Sequence, residues 1–162
     1  MLDKRNFYIN GKWVSPFKPN NFEVIDPSTE EPFAIISLGS IEDTDKAISA
    51  AKNSFETWRE SSKEKRLSLL EKFDQIYNRR WDEMVKAQST EMGAPLDYAS
   101  ETHTKMGADI SKNTIKILKD FNFEHQFDPK SNNHIRYEPI GVCGLITPWN
   151  FPMNQIVLKV IP

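Results

Sequence analysis

The last twenty-two residues constrain the fold of this chain most strongly. An apolar, β-prone run from Val142 to Ile146 is broken at Pro148, and helix-like sequence begins at Phe151. Open α/β sheets bind ligands at such strand-to-helix junctions, because main-chain N–H groups point outward at the carboxyl end of the strand. Asn150 stands at the junction itself. The order of residues therefore predicts part of an α/β fold with a ligand site near Asn150.

The N-terminal part of the chain predicts short antiparallel strands. Phe7–Ile9 and Lys12–Val14 flank the dipeptide Asn10-Gly11, which suits a type I′ turn because both central residues take a positive φ. Two further extended runs, Phe22–Ile25 and Pro32–Leu38, are separated by turn-forming residues. We expect these four strands to form one small antiparallel meander.

The middle of the chain predicts three or four helices. Ser40 and Asp43 have the spacing of a capping box ahead of the first helix, and Ser61 or Ser62 would cap the second. The third would end at Gly93, where a left-handed residue commonly closes a helix. Apolar residues at helical spacing predict a buried face in each helix: Ala47, Ala51, Phe55 and Trp58; Leu67, Leu70, Phe73 and Tyr77; Met84, Val85 and Gln88; and Ala99, Met106, Ile110, Ile117 and Leu118.

The segment after the helices is polar, and we expect residues 121–133 to form a loop or exposed connection. His134–Glu138 alternates in polarity as a half-buried strand does.

Charge and composition exclude several function classes. The chain has 162 residues and a net charge of −2, so nothing in its charge suggests a surface that binds nucleic acid or anionic membranes, and we expect neither as a partner. No apolar run reaches the roughly 18 residues of a membrane span, and the N-terminus lacks the apolar core of a signal peptide. A single cysteine fits a reducing compartment, so the cytoplasm is the expected location.

Few other residues suggest chemistry. Cys143 lies within the apolar run, so we interpret it as a buried structural cysteine rather than a nucleophile. The three histidines have no ligand-like spacing, so we interpret them as surface or satisfied histidines and expect no metal site. Gly141 and Gly144 do not complete a dinucleotide-binding glycine pattern.

Asn150 allows two interpretations. It could be the N-cap of a helix whose first turn contains Pro152, since a missing N–H costs nothing there. It could instead be a catalytic amide, held rigid by Pro148, Trp149 and Pro152, that donates to a developing oxyanion. Spacing alone does not choose between them.

Several motifs together resemble the aldehyde dehydrogenase superfamily. Leu145–Pro152 is similar to its P-W-N-F-P signature, and Phe7–Val14 is similar to its opening strand pair. Glu91–Pro95 is similar to the family's E-x-G-K-P motif, with Ala94 in place of the usual lysine, and Arg136–Val142 resembles R-x-P-x-G-V. These motifs occur in the family's order and extend over essentially the whole chain.

The resemblance implies NAD(P)-dependent oxidation of an aldehyde to a carboxylic acid through a cysteine thioester. Asn150 would be the oxyanion-hole amide, and Lys159 matches a lysine proposed to relay protons. The cofactor would lie against Ile146, Thr147, Pro148 and Trp149.

The resemblance also implies a domain organisation. Residues 1–120 would be the N-terminal part of the cofactor-binding domain, and residues 121–139 would form an arm that joins subunits into dimers or tetramers. Residues 140–162 would be the first strand and helix of a Rossmann-like sheet. Family members are roughly three times this length, so we expect an N-terminal fragment that lacks the nucleophilic cysteine and general-base glutamate, and is inactive alone. The alternative is a non-catalytic interaction or regulatory module derived from the same family.

Overall fold

The computed structural model describes residues 1–162 and contains seven short strands and six α-helices. The strands are β1 (Leu2–Asp3), β2 (Phe7–Ile9), β3 (Lys12–Val14), β4 (Asn21–Asp26), β5 (Glu31–Ser37), β6 (Glu124–Gln126) and β7 (His134–Arg136). The helices are α1 (Ile41–Trp58), α2 (Lys63–Arg79), α3 (Trp81–Met92), α4 (Leu96–Tyr98), α5 (Lys105–Asp120) and α6 (Pro152–Val160). A π-helical segment, Ala99–Thr104, joins α4 to α5.

The N-terminal strands form two sheets rather than the single meander expected. β2 and β3 pair as a separate hairpin, and its turn residues Asn10 and Gly11 have φ of 53° and 75°, which confirms the turn prediction. β4 and β5 pair antiparallel, and β1 adds to β5 in parallel with Leu2 opposite Ala34. No sequence pattern predicted β1, because a strand of two residues is too short to show a periodicity.

The capping box of α1 is confirmed. The Ser40 hydroxyl accepts from the Asp43 N–H at 3.2 Å, and the Asp43 carboxylate accepts from the Ser40 N–H at 3.1 Å. The other Asp43 oxygen accepts from the Phe17 N–H at 2.8 Å, so this carboxylate also holds the segment between β3 and β4. The prediction of a buried face on α1 is wrong for three of its four residues: Ala47, Ala51 and Trp58 are exposed, and only Phe55 is half-buried. Apolar periodicity indicates a face that needs a partner, and these 162 residues do not supply that partner.

The core lies where α2, α5 and α6 meet, around Tyr77, Ala108 and Val157. α2 begins after Ser62, whose hydroxyl accepts from the Lys65 N–H, and α3 ends at Gly93 with φ of 69°, as predicted. The fourth helix is continuous from α4 to α5 but passes through the π-helical segment. Two of its predicted core residues, Met106 and Ile117, are exposed, because they lie on the side of α5 turned away from α2 and α6.

The segment after α5 is more regular than expected. β6, within the expected loop, pairs antiparallel with β7, placing Glu124 opposite Arg136. Pairing through main-chain groups needs no apolar side chains, so polarity alone did not reveal this hairpin.

The run Val142–Ile146 has no strand partner, so the strand expected there is not formed among these residues. Its side chains are exposed, with Ile146 at 89%. None of the helices is both long enough and apolar enough to cross a membrane.

Candidate functional site

The junction after the unpaired run is a tight bend that leads into α6. Phe151, with φ of −142° and ψ of 69°, is the N-cap residue, and Pro152 occupies the first turn. The Gln155 N–H donates to the Phe151 carbonyl at 2.9 Å, which is the first main-chain bond of the helix. No side chain caps α6, so the interpretation of Asn150 as its N-cap is wrong. The Asn150 amide is exposed and takes no part in closing the helix.

The four residues predicted to line the cofactor precede Asn150 directly and are all exposed: Ile146, Thr147, Pro148 and Trp149. The exposed fraction of Trp149 is 81%, so its indole is free to contact another group. The role of these four residues in cofactor binding stays a prediction.

A buried histidine lies beneath the junction. The imidazole of His103 stacks on the Phe151 ring with centroids 4.5 Å apart and an interplanar angle of 2°. The His103 ring also makes a T-shaped contact with Tyr98, at a centroid distance of 5.0 Å and an interplanar angle of 68°. His103 is 2% exposed, and its Nδ1 atom is buried without a hydrogen-bond partner. Burial lowers the pKa of His103 below its ordinary value, because the charged form loses its hydration.

The interpretation of all three histidines as surface or satisfied is therefore wrong for His103. A sequence signal for its burial existed. Buried residues recur every four positions along this helix, at Ala99, His103, Gly107, Ser111 and Ile115. Four of the five are small or polar, so a pattern based only on large apolar residues does not find this face.

The π-helical segment that carries His103 is fastened to two other helices. The Tyr77 hydroxyl donates to the Thr104 carbonyl at 2.9 Å, and the Gln88 side-chain amide donates to the Thr104 hydroxyl at 2.8 Å. The indole N–H of Trp81 donates to the Ser100 hydroxyl at 3.0 Å. Within the segment, the Lys105 N–H reaches the carbonyl five residues back, at Ser100.

Lys159 lies on α6, two turns beyond the junction. Its ammonium group donates to the Gln155 side-chain oxygen at 2.7 Å, and both side chains are partly buried. The structure thus gives Lys159 a defined position on the helix that follows Asn150.

Cys143 is exposed, so its interpretation as a buried structural cysteine is wrong. The cause is the missing strand pairing, which leaves the whole run uncovered. The nearest polar partner of the sulfur is the Gly141 carbonyl at 3.8 Å, and no group of three or more His, Cys, Asp or Glu side chains could hold a metal ion.

A separate crevice of about 400 Å³ lies between the end of α1, the start of α2 and the β6–β7 hairpin. None of the predicted site residues lines it. Its walls carry both signs of charge: Arg59, Lys63, Arg66 and Arg136 against Glu60, Glu124 and Glu138. Arg66 binds the Ser61 hydroxyl at 2.8 Å and stacks over Phe123, so its guanidinium joins the helices to the hairpin.

Comparison with known proteins gives a consistent picture. A family model described as the aldehyde dehydrogenase family matches residues 13–162. The chain is 43% identical over 163 residues to a 3-succinoylsemialdehyde-pyridine dehydrogenase of a Pseudomonas species, covering all of this chain and 34% of the relative. Its fold superimposes on an aldehyde dehydrogenase from Bartonella henselae with a TM-score of 0.97 and 51% identity, over 99% of this chain and 34% of the other.

A second solved structure is a mutant aldehyde dehydrogenase C from Pseudomonas syringae, in complex with NAD+ and octanal. It gives a TM-score of 0.92 and 35% identity, over 97% of this chain and 32% of that one. The chain thus spans about one third of the length of the proteins it matches.

Proposed function

Because this chain belongs to the aldehyde dehydrogenase family, we propose that it is the N-terminal part of an NAD(P)-dependent enzyme that oxidises an aldehyde to a carboxylic acid through a cysteine thioester. The observation that carries the proposal is the exposed Asn150 amide at the bend before α6, free of any capping duty. The NAD+ bound by the Pseudomonas syringae relative supports the cofactor class, and its octanal supports an aldehyde substrate.

Asn150 would act as the donor of an oxyanion hole. When a nucleophile adds to an aldehyde carbonyl, negative charge develops on the oxygen, and a rigid N–H donor stabilises that charge more than it stabilises the neutral aldehyde. Pro148 and Pro152 restrict the backbone on both sides of the amide, so little ordering remains to be done during the reaction.

The segment from Ile146 to Trp149 would hold the cofactor beside that oxyanion site. NAD(P)+ supplies the hydride acceptor when bound. Among this chain's own groups, the Trp149 and Ile146 side chains would exclude water from the ring, and the Thr147 hydroxyl would contact the adjoining sugar. Lys159 would lie behind them on α6, close enough to Gln155 to keep its ammonium group oriented.

The test of this role uses the complete polypeptide that contains these residues. Asn150→Ala should lower kcat for aldehyde oxidation about 10²- to 10³-fold, as removal of one oxyanion donor does elsewhere. The matched control is Asn113→Ala, which removes an exposed amide on α5. Unchanged kcat for the Asn150 variant would contradict the proposal, and so would equal losses in both variants.

The 162-residue chain alone would not turn over. The reaction needs a thiolate next to a base, and no basic side chain is hydrogen-bonded to the Cys143 sulfur. Cys143 is exposed on an unpaired segment, and its only close polar neighbour is a carbonyl. Mixing the purified chain with NAD+ or NADP+ and a panel of aldehydes should produce no NADH or NADPH. Sustained production of either would overturn this part of the proposal.

The hairpin of β6 and β7 would belong to the subunit-joining arm at residues 121–139. Both strands present mostly exposed side chains, and nothing else in the chain adds to their outer edges. An uncovered two-stranded ribbon can accept another strand through its free main-chain groups. This supports a homo-oligomer, dimer or tetramer, as the state of the complete protein.

A non-catalytic interaction or regulatory module is the second candidate. It is favoured by the large exposed apolar side chains, among them Ile140 at 95% and Trp149 at 81%. The reading frame of the gene separates the two candidates. A stop codon directly after Pro162 supports the module, and a continuing frame supports the enzyme.

A further inference from the structure

Phe151, at the start of α6, makes an aromatic contact whose geometry differs from that of the other aromatic pairs in this molecule. Of the aromatic pairs in the chain, only His103 and Phe151 lie face to face, at 4.5 Å and 2°. The pair His125 and Tyr137 on the hairpin is tilted by 31° with centroids 5.9 Å apart. Phe151 is covalently next to Asn150, so whatever fixes its ring also restricts the backbone that aims the amide.

Hydrogen bonds from α2 and α3 hold the π-helical segment that carries His103. Three side chains, Tyr77, Trp81 and Gln88, donate hydrogen bonds to Thr104 and Ser100 on either side of His103. The two donors to Thr104 are buried, so water does not compete with these bonds. The π-helical turn is therefore fixed by α2 and α3, and His103 is presented to Phe151 from a rigid platform.

If the His103 side chain only filled space, an apolar side chain would stabilise the fold more than an imidazole does. Its Nδ1 atom is buried without a partner, which costs free energy that a carbon atom at the same place would not. An aliphatic side chain of similar size would fill the volume but could not lie flat against Phe151. A neutral, planar ring suits both the burial and the parallel stack, since stacked aromatic pairs stabilise beyond the area they bury.

We propose that His103 is a positioning residue for Asn150: through its stack on Phe151, it fixes the start of α6 and thereby the direction of the amide. The inference rests on the proposed function of Asn150 for its catalytic consequence, but the positioning itself does not depend on catalysis. The chain of contacts runs from α2 and α3 through the π-helical segment to His103, Phe151 and Asn150.

Hydrogen exchange of the complete polypeptide that contains these residues tests the positioning directly. The reporter is the Gln155 amide, whose bond to the Phe151 carbonyl opens when Phe151 is released. His103→Leu should increase its exchange rate on the order of tenfold, the factor expected for one lost aromatic stack. His103→Phe should restore slow exchange. Phe151→Leu, which removes the other ring, should match His103→Leu, and the double variant should add little.

The matched control is His125→Leu, which removes an exposed histidine from its contact with Tyr137 on the hairpin. It should leave the exchange rate of the Gln155 amide unchanged. Unchanged exchange in His103→Leu would overturn the inference. An equal rise in exchange throughout α2 and α6 would overturn it as well, because that pattern means general unfolding rather than loss of one contact.

Kinetics of the complete polypeptide separate this inference from the proposed function. If both hold, His103→Leu lowers kcat about tenfold with little change in KM, and His103→Phe recovers it. If Asn150→Ala lowers kcat but His103→Leu does not, the catalytic part of the inference fails alone. If Asn150→Ala leaves kcat unchanged, the proposed function fails, and the exchange results still decide whether His103 positions the junction.

Discussion

The Tyr77 hydroxyl occupies the space that a side chain at Gly107 would need. An ideal Cβ on Gly107 would lie 3.0 Å from the Cζ atom of Tyr77 and closer still to its oxygen. The absence of a side chain lets α2 approach α5 closely enough for that hydroxyl to reach the Thr104 carbonyl at 2.9 Å. One glycine thus permits the hydrogen bond that holds the π-helical segment.

Gly107→Ala should therefore destabilise the chain, although alanine favours a helix by about 1 kcal/mol over glycine. Overpacking at a buried site typically costs about 1–3 kcal/mol, which exceeds that gain. The free energy of unfolding in urea measures the effect. Gly144→Ala is the control, because nothing lies within 4 Å of a Cβ there, and it should stay within about 0.5 kcal/mol of the parent. A Tyr77→Phe background should reduce the cost of Gly107→Ala, and a fully additive double variant would contradict the steric explanation.

Tyr77 should also make stability fall in alkaline solution. Burial raises the pKa of Tyr77 to about 12, above its ordinary value of 10.0, because the charged phenolate loses its hydration. The unfolded chain therefore releases this proton first as the pH rises, so the stabilisation is complete below pH 10 and is lost between about pH 10 and 12. The loss should approach 2–3 kcal/mol, at about 1.4 kcal/mol per pKa unit. Subtracting the pH profile of Tyr77→Phe isolates this contribution from other ionising groups, and parallel profiles would contradict it.

The capping residue Asp43 should produce the opposite dependence in acid. The Phe17 N–H, burial and the Ser40 groups all act on this carboxyl, and the hydrogen bonds dominate, so its pKa lies below the ordinary value. A carboxyl with a depressed pKa in the folded state stabilises the fold above its unfolded pKa, and this stabilisation is lost as the pH falls through the folded pKa. Asp43→Asn should flatten the acid limb of the urea-midpoint profile, whereas Asp45→Asn, an exposed acid on the same helix, should not.

The sequence predicted best those helices and strands that begin or end at a turn or capping residue. The Asn10-Gly11 turn, the Ser40–Asp43 capping box and the Gly93 stop are confirmed because each depends on residues within four positions of one another. The resemblance likewise identified the family. The burial of individual side chains was less predictable. Ala47 and Ala51 satisfy a helical period yet are exposed, since a pattern does not say which part of the protein covers it.

The candidate site shows the same division. The bend at Asn150 follows from Pro148 and Pro152, and the sequence predicted it. The stack of His103 on Phe151 joins residues 48 positions apart in the chain, and His103 lies in a π-helical turn. A π-helical turn changes the register of a helix by one residue, so a strict 3.6-residue period does not forecast which side chains lie beyond it.

The unpaired run should make the isolated chain associate with itself. Val142–Ile146 is β-prone and uncovered, its main-chain groups have no partner strand, and Ile146 is 89% exposed. Such a segment can pair edge to edge with another copy, and a charge placed in it opposes that pairing. Sedimentation velocity should therefore show association that grows with protein concentration.

The double variant Val142→Lys with Ile146→Lys should shift the chain toward the monomer, whereas Ile41→Lys with Ile117→Lys should not. The control residues are also exposed, at 79% and 64%, but both lie in α-helices, whose backbone is not extended and so cannot pair edge to edge as a strand does. The contrast separates strand pairing from simple apolar adhesion. If both double variants reduce association equally, general contact between apolar side chains explains the association, and strand pairing does not. A parent chain that is a monomer at every concentration would contradict the prediction, which rests on the 89% exposure of Ile146.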